Sequence, residues 1–398
     1  MSILQGKKIL LGVSGGIAAY KTTFLVRLLI KSGAQVRVIL TPEAENFVTP
    51  LSLSTLSKNP VYSSLYDEHK TWYNHVEIGE WADIFIVAPA TANTISKMVD
   101  GSANNLLLTT YLSAKCPVYV APAMDLDMYK HPSTQANLQR LTEMGNYVIE
   151  ATSGELASGL VGQGRMAEPE DIVEILQKDM LSKLPLQGKT FLITAGPTHE
   201  PIDPVRFIGN HSSGKMGIAL AKAATDLGAF VKLVLGPTYL VFEHDLAEVV
   251  RVQTAQQMLE ACQGFYDAVD VFIASAAVAD YRPKLVADQK IKKSSNSLSI
   301  ELVKNPDVLQ TLGLQKKHQF VVGFALETEN EIENAKAKLL KKNLDAIVLN
   351  SLNDQGAGFQ KETNKISIID AQQIKDFSLK SKEEVAVDII NYIGDHAF

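Results

Sequence analysis

Only two of the 398 residues are cysteine, Cys116 and Cys262, which excludes a disulfide framework and leaves no pair at a metal-ligand spacing. Both are read as packing residues, and such sparing use suits a reducing compartment. Long apolar runs are missing as well: no segment approaches about 18 uninterrupted apolar residues, so no membrane-spanning helix is predicted. The amino terminus enters a strand-like run from Lys8 to Val13 almost at once, without the apolar stretch of a signal peptide, and a cytoplasmic protein is expected. A basic surface is lacking too. The net charge is −6, and the lysines that cluster, Lys290 to Lys293 and Lys336 to Lys342, sit on separate segments. That balance gives no electrostatic footprint for nucleic acid and fits a small anionic ligand better.

What is present is 46% apolar and 21% charged, the balance of a globular chain with ample core. Short apolar runs alternate with helical-period segments, which predicts parallel sheets covered by helices, an α/β architecture. In the first half strands are predicted at Ile9 to Val13, Val36 to Leu40, Ile84 to Ala88, Val118 to Ala121 and Tyr147 to Ile149. Helices are predicted between them at Ile17 to Lys31, Thr91 to Met98, Asn104 to Ala114 and Glu170 to Leu181. Pro185 and Gly188 then break the pattern, dividing the chain into domains 1–183 and 184–398. The second half repeats the alternation, with strands at Thr190 to Thr194, Val231 to Leu235, Val249 to Val252, Val271 to Ala274, Phe320 to Phe324, Ala346 to Leu349 and Ile366 to Ile369.

Ligand-binding signals collect at strand ends, where such sheets hold ligands. Gly12 to Lys21 is a glycine turn feeding a helix, and Thr41 to Ala44 and Ala88 to Asn93 follow the next two strands. The most informative stretch runs from Thr194 to Gly217. Its three prolines, Pro197, Pro201 and Pro204, disfavour helix and central strand, and Gly214 and Gly217 open a helix whose free amides suit phosphate. Gly209 to Lys215 imitates a P-loop, but Met216 stands where that motif needs Ser or Thr to ligate magnesium. Further clusters are Ala274 to Pro283, the charge-alternating Lys290 to Lys293, Asn305 to Leu309 and Gly323 to Thr328. Lys338 and Lys342 are predicted on one helix face, where paired ammonium groups suit a polyphosphate.

The Thr194 to Gly217 stretch resembles the substrate loop of bacterial phosphopantothenate-cysteine ligases. The first half resembles phosphopantothenoylcysteine decarboxylases, which are flavin enzymes. The whole chain is thus similar to the bifunctional family of coenzyme A biosynthesis that joins them. The resemblance implies two doubly wound, Rossmann-like domains, an FMN flavoprotein domain followed by a CTP-dependent ligase domain. Ser14, Gly15, Gly16, Thr41, Thr91 and Asn93 match FMN-contacting positions. His75 matches a catalytic histidine supplied across a subunit boundary, which implies a homo-oligomer. In the ligase half, Ala274, Ser275, Ala276, Asp280, Lys290, Pro306, Asp307, Val308, Leu309, Phe324, Lys338 and Lys342 match the CTP site. Lys290 is assigned to charge neutralisation, Asn210 to the acyl-cytidylate carbonyl and Arg206 to the anionic pantothenate arm. Mg2+ is expected on the triphosphate, with no protein ligand assigned.

Two positions depart from the family pattern. Asp125 stands where Asn usually grips the substrate carboxylate, so either Asp125 is protonated in a dry site or the substrate sits differently. Ser158 replaces the proton-donating cysteine of a glycine-rich lid, and an alcohol is a far poorer acid than a thiol of pKa about 8.5. A neutral Asp125 with Ser158 as relay is one expectation. Others are a flavin domain that stops at an oxidised enethiol, or an FMN-holding assembly scaffold beside an active ligase.

Overall fold

The computed structural model describes residues 2–66, 71–292, 298–327, 329–351 and 362–398. Lys293 and Thr328, which close two of the predicted clusters, lie outside them. Contacts divide the chain into two compact units, Met1–Leu181 and Ser182–Phe398.

In the first unit six strands pair in the order Val61–Tyr62, Gln35–Leu40, Lys8–Val13, Ile84–Ala90, Val118–Pro122, Tyr147–Val148, all parallel. The strand Ile84–Ala90 is buried along its whole length, because a parallel sheet covered on both faces asks for continuous apolar runs. Side chains alternate between two cores. Ile9, Leu11 and Val13 pack with Leu25, Leu29, Ile172 and Leu176, while Leu10, Phe85 and Val87 pack with Ile95, Met98, Leu107 and Leu141. The helix Pro132–Glu143 and the short helix His75–Trp81 were not predicted. The first is polar over most of its surface, and only Thr134, Leu138 and Leu141 are buried. The second places His75 in its first turn, with Asn74 Oδ1 accepting from the amides of Val76 and Glu77 as a helix cap.

The second unit holds an eight-stranded sheet in the order Ala247–Arg251, Phe230–Leu235, Thr190–Ala195, Val271–Ala274, Phe320–Glu327, Ala346–Ser351, Ile366–Asp370, Ile374–Asp376. The first six run parallel. The expected doubly wound parallel sheet is present, and its far edge adds antiparallel pairing: Ile366–Asp370 is antiparallel to both of its neighbours. The turn 371–373, closed by Asp370 Oδ1 accepting from the amides of Gln372 and Gln373, is too short for the crossover that a parallel neighbour requires.

A small hairpin, His199–Pro201 with Phe207–Gly209, carries the proline-rich loop outward from this sheet. Asp203 at its tip is buried and accepts from the amides of Val205, Arg206 and Ile291 and from the Arg206 guanidinium. Arg206 also donates to the Ile291 carbonyl at 3.0 Å. The guanidinium and these amides hold the Asp203 carboxyl well below the usual carboxylate range. A depressed carboxylate contributes stability above its unfolded pKa of about 3.9 and loses it as pH falls through the folded value. Asp203→Asn should therefore melt below the wild type at neutral pH, with the gap narrowing in acid. A melting difference that stays constant from pH 7 to pH 3 would show that Asp203 is not ionised in this clamp.

Candidate active sites

In the first unit the sequence puts polar and glycine-rich loops after the adjacent strands Lys8–Val13, Gln35–Leu40 and Ile84–Ala90. Their carboxyl ends open into a cavity of about 780 Å3, lined in part by Gly15, Gly16, Thr41, Thr91, Asn93 and Asp125. Ser14 is buried and works as a clasp: its Oγ donates to the Pro89 carbonyl at 2.7 Å and accepts the Thr91 amide at 2.9 Å. Thr91 in turn caps the helix Ala92–Val99. Thr41 Oγ1 is buried without a hydrogen-bond partner, an atom that a bound ligand would satisfy. Gly15 and Gly16 form a cradle with no room for side chains. A Cβ at Gly15 would stand 2.6 Å from Glu43 Cβ, and one at Gly16 3.3 Å from Thr91 Cγ2.

The lid is the hairpin Thr152–Glu155 with Val161–Arg165. Its glycines are explained by close approach: a Cβ at Gly162 would meet Leu126 Cδ1 at 2.6 Å and one at Gly164 the Met124 carbonyl at 2.5 Å. Met124 donates its amide to Gly164 at 2.9 Å, so the hairpin is pinned to the segment that carries Asp125. Asp125 is half-buried at the start of helix Leu126–Lys130 and makes no capping bond. At the base of the lid, Lys21 is buried and donates to Glu168 at 2.9 Å and to the Met166 carbonyl at 3.1 Å, while Arg165 reaches the same carboxylate at 3.1 Å. The hydrogen bond from Lys21 is the main cause of a lowered Glu168 pKa. Ser158 sits exposed at the hairpin tip, and His75 lies on its own helix; neither lines the cavity. His75 Nδ1 is buried with no hydrogen-bond partner.

In the second unit two cavities share Ala276, Val278, Asp280, Phe324 and Lys338. They lie beyond the carboxyl ends of Thr190–Ala195 and Val271–Ala274, the point where the strand order reverses. Thr194 Oγ1 accepts the Ala276 amide and Thr198 Oγ1 the Ala279 amide, which locks the two loops together. The larger cavity, about 560 Å3, gathers Asn305 to Gln310 with Lys338, Lys341 and Lys342. The smaller, about 390 Å3, gathers Asn210, Gly214, Lys215, Gly217 and Ser275 with Asn350, Asn364 and Lys382. Asn210 is fixed by donating to the Val278 carbonyl at 3.1 Å.

Lys338 and Lys342 do not form the free ammonium pair read from their spacing. Lys342 stands just past the helix Glu331–Lys341 and pairs with Asp307 at 2.7 Å, and Lys338 donates to the Phe324 carbonyl at 2.7 Å. Arg206, committed to Asp203, and Lys290, exposed and outside any strand, line neither cavity. Lys382, Asn350 and Asn364 were missed by sequence reasoning; the one available signal was a lysine directly after the helix cap Ser381.

A flavoprotein family model matches residues 2–181, and the model described as "DNA/pantothenate metabolism flavoprotein C-terminal domain" matches residues 186–396. Two similar relatives carry the name "Coenzyme A biosynthesis bifunctional protein CoaBC". The one from Bacillus subtilis is 45% identical over 396 residues, covering 98% of each chain. That from Haemophilus influenzae is 46% identical over 392 residues, again covering 98% of each. The chain belongs to this bifunctional family of coenzyme A biosynthesis. A "Cysteine/Cysteine sulfinic acid decarboxylase" from an unknown prokaryotic organism is 54% identical over 353 residues, 87% of this chain and 98% of that one. The first unit is a flavoprotein domain. Among the described residues no helix is long and apolar enough to cross a membrane.

Gly15→Ala should drive a methyl group into Glu43 and displace the Thr41 to Glu43 turn, lowering flavin affinity roughly tenfold or more by overpacking. The visible absorbance of the purified variant reads this directly, and full flavin occupancy after dialysis would contradict the cradle.

Proposed function

We propose that residues 184–398 couple 4′-phosphopantothenate to L-cysteine using CTP, and that residues 1–183 decarboxylate the product to 4′-phosphopantetheine with FMN. The observation that carries the reading is that both crevices occur in one chain that aligns over its full length with bifunctional coenzyme A proteins. In the ligase unit the substrate carboxylate attacks the α-phosphate of CTP and pyrophosphate leaves. The cysteine amine then attacks the acyl-cytidylate and CMP leaves. Asn210 is suited to hold the acyl carbonyl, since its side chain is already oriented by Val278. Lys290 is proposed to neutralise developing charge and Arg206 to meet the anionic pantothenate arm; Arg206 is joined to the segment that carries Lys290 by its bond to the Ile291 carbonyl. Magnesium is proposed to arrive on the triphosphate, held mainly by phosphate oxygens.

The decarboxylase cavity fits FMN: the orphaned Thr41 hydroxyl, the Gly15 and Gly16 cradle and the Thr91 turn offer donors and space for a phosphate and its ribityl chain. When bound, the flavin supplies reversible two-electron oxidation of the cysteinyl group. Asp125 lines this cavity and is assigned to the reacting end, with Ser158, on the hairpin above, as its proposed relay. His75 is proposed to act in the cavity of a second copy of the chain, because it does not line its own. The exposed apolar residues Ile17 and Tyr20, which line that cavity, together with exposed Phe24 on the following helix, offer a face for the second copy. The enethiol-forming and scaffold readings are not favoured, given full-length relatives named as bifunctional biosynthetic proteins.

A second reading has its own support. The 54% identical relative is named for cysteine and cysteine sulfinic acid, and Asp125 gives the cavity wall a carboxylate suited to pairing with the ammonium group of a free amino acid.

The purified protein, given phosphopantothenate, cysteine, CTP and magnesium, should yield phosphopantetheine by mass. Lys290→Ala and Asn210→Ala should lower ligation at least a hundredfold, about 2.7 kcal/mol, while leaving bound flavin unchanged. Cysteamine from cysteine alone, with no phosphopantetheine in the complete mixture, would instead establish the second reading. Mixing His75→Ala with Gly15→Ala, each impaired in decarboxylation, should give more activity than the two variants measured apart, since mixed assemblies regain one complete site. No recovery after subunit exchange would place His75 in its own chain's cavity.

A further inference from the structure

Among the described residues that line the decarboxylase cavity are three carboxylates, Glu43, Asp125 and Glu155, and two cations, Lys21 and Arg165. Both substrates considered for it carry a carboxylate, so the wall opposes its own ligand unless one cation is kept for it. The two cations are not equivalent. The Lys21 side chain is 6% exposed and commits its ammonium to the Met166 carbonyl and Glu168, whereas that of Arg165 is 42% exposed. Both share Glu168, and the hydrogen bond from Lys21 is the main cause that holds this carboxyl below its ordinary range and so ionised. Two cations with one carboxylate leave one net positive charge, and Arg165 is the member of the trio through which a ligand in the cavity can meet it.

The lid hairpin leaves room for this guanidinium. A Cβ at Gly154, on the opposite strand, would stand 3.2 Å from Arg165 Nη1 and 3.4 Å from its Cδ, so glycine there lets the side chain lie along the hairpin. Nη2 donates to Glu168 at 3.1 Å. That ion pair occupies one side of the planar fork, and the rest of it suits the oxygens of a second anion, a carboxylate or a phosphate. The backbone is held as well. Thr152 Oγ1 donates to the Arg165 carbonyl at 3.4 Å, and Gly164, packed against the Met124 carbonyl, ties the preceding residue to the segment that carries Asp125. A cation aimed by Glu168 thus lines the same cavity as the carboxylate at position 125.

We propose that Arg165 is a specificity-determining residue of the decarboxylase cavity, receiving an anionic group of the substrate, with Lys21 and Glu168 as the pair that positions it. This rests on the decarboxylase reading. Two groups present that chemistry: the carboxylate of the cysteinyl end and the phosphate at the far end of an acylated arm. Neither contact strengthens as carbon dioxide leaves, because the carboxylate loses its charge in that step and the phosphate keeps the charge it had. The guanidinium therefore contributes to capture of the substrate and not to the rate of its breakdown. The flavin phosphate has its own proposed seat, at the Gly15 and Gly16 cradle and the Thr91 turn.

Steady-state decarboxylation by the full-length protein of phosphopantothenoylcysteine, and of pantothenoylcysteine, which lacks the phosphate, tests the assignment. Arg165→Met should raise KM about tenfold while kcat stays at least about half that of the wild type, and Arg165→Lys should recover part of the loss. A rise for both substrates identifies the carboxylate as the group received, and a rise for the phosphorylated one alone identifies the phosphate. Titration of the same preparations with FMN and with riboflavin, read by flavin absorbance, follows the cofactor. Arg165→Met that loses affinity for FMN but not for riboflavin would assign the guanidinium to the flavin phosphate and overturn the proposal. A fall in kcat at unchanged KM, not recovered by Arg165→Lys, would mark a structural role in the lid and overturn it too. Wild-type protein that decarboxylates neither compound would overturn the decarboxylase reading together with the proposal, whereas wild-type turnover beside unchanged kinetics in Arg165→Met removes the proposal alone.

Discussion

A parallel sheet whose connections reverse direction partway across leaves a gap at the carboxyl edge of its central strands, and both units of this chain depend on that gap. In the first, the reversal falls beside Lys8–Val13 and Ile84–Ala90; in the second, beside Thr190–Ala195 and Val271–Ala274. Continuous burial of these strands makes their register rigid, so the loops that leave them start from fixed points. Ser14 and Thr194 then do equivalent work, each spending its hydroxyl on a neighbouring loop rather than on a ligand. The donors left unsatisfied, Thr41 Oγ1 in one cavity and Ser275 Oγ in the other, lie one step further out.

Much of this was legible in the sequence because apolar runs between glycine and proline breaks encode buried parallel strands directly. The strands from Ile84 and Val271 were placed where they occur, and the loops after them carry the cavity residues. Polar elements were harder to read. The helix Pro132–Glu143 shows the core little more than Leu138 and Leu141, and the helix His75–Trp81 begins at a capping asparagine inside a stretch that looks like surface loop. The antiparallel pairing of Ile374–Asp376 with Ile366–Asp370 follows from a short turn, information carried by connection length rather than by the strands themselves.

Side-chain pairing was the least legible layer. Spacing suggested Lys338 and Lys342 as a pair for a polyphosphate, and the family resemblance suggested Arg206 for the anionic arm of the substrate. Each has a protein partner instead, because Asp203, the Phe324 carbonyl and Asp307 are brought near by folds of the chain that spacing does not reveal. Lys382 was not foreseen at all. Its sequence context, Ser381 followed by Glu384, is a capping box, and a lysine inside a helix start gives no hint of a cavity reached only when the carboxyl-terminal helix returns to the sheet.

The decarboxylase cavity raises an electrostatic question that the departures at positions 125 and 158 sharpen. Of its lining cations, Lys21 and Arg165 both share Glu168, whereas Glu43, Asp125 and Glu155 place carboxylates on the wall. On the proposed decarboxylase reading, a substrate carboxylate approaching an ionised Asp125 would be repelled in the ground state, and the repulsion would be relieved as carbon dioxide departs uncharged. Such an arrangement speeds decarboxylation only if binding elsewhere on the substrate offsets the repulsion. A phosphopantothenoyl arm has the length and charge to supply that binding. Free cysteine has no arm, and must depend on its ammonium group meeting Asp125. On the two proposed readings the same carboxylate would act in opposite ways, repelling one end of a long acylated substrate or attracting the amine of a short free one.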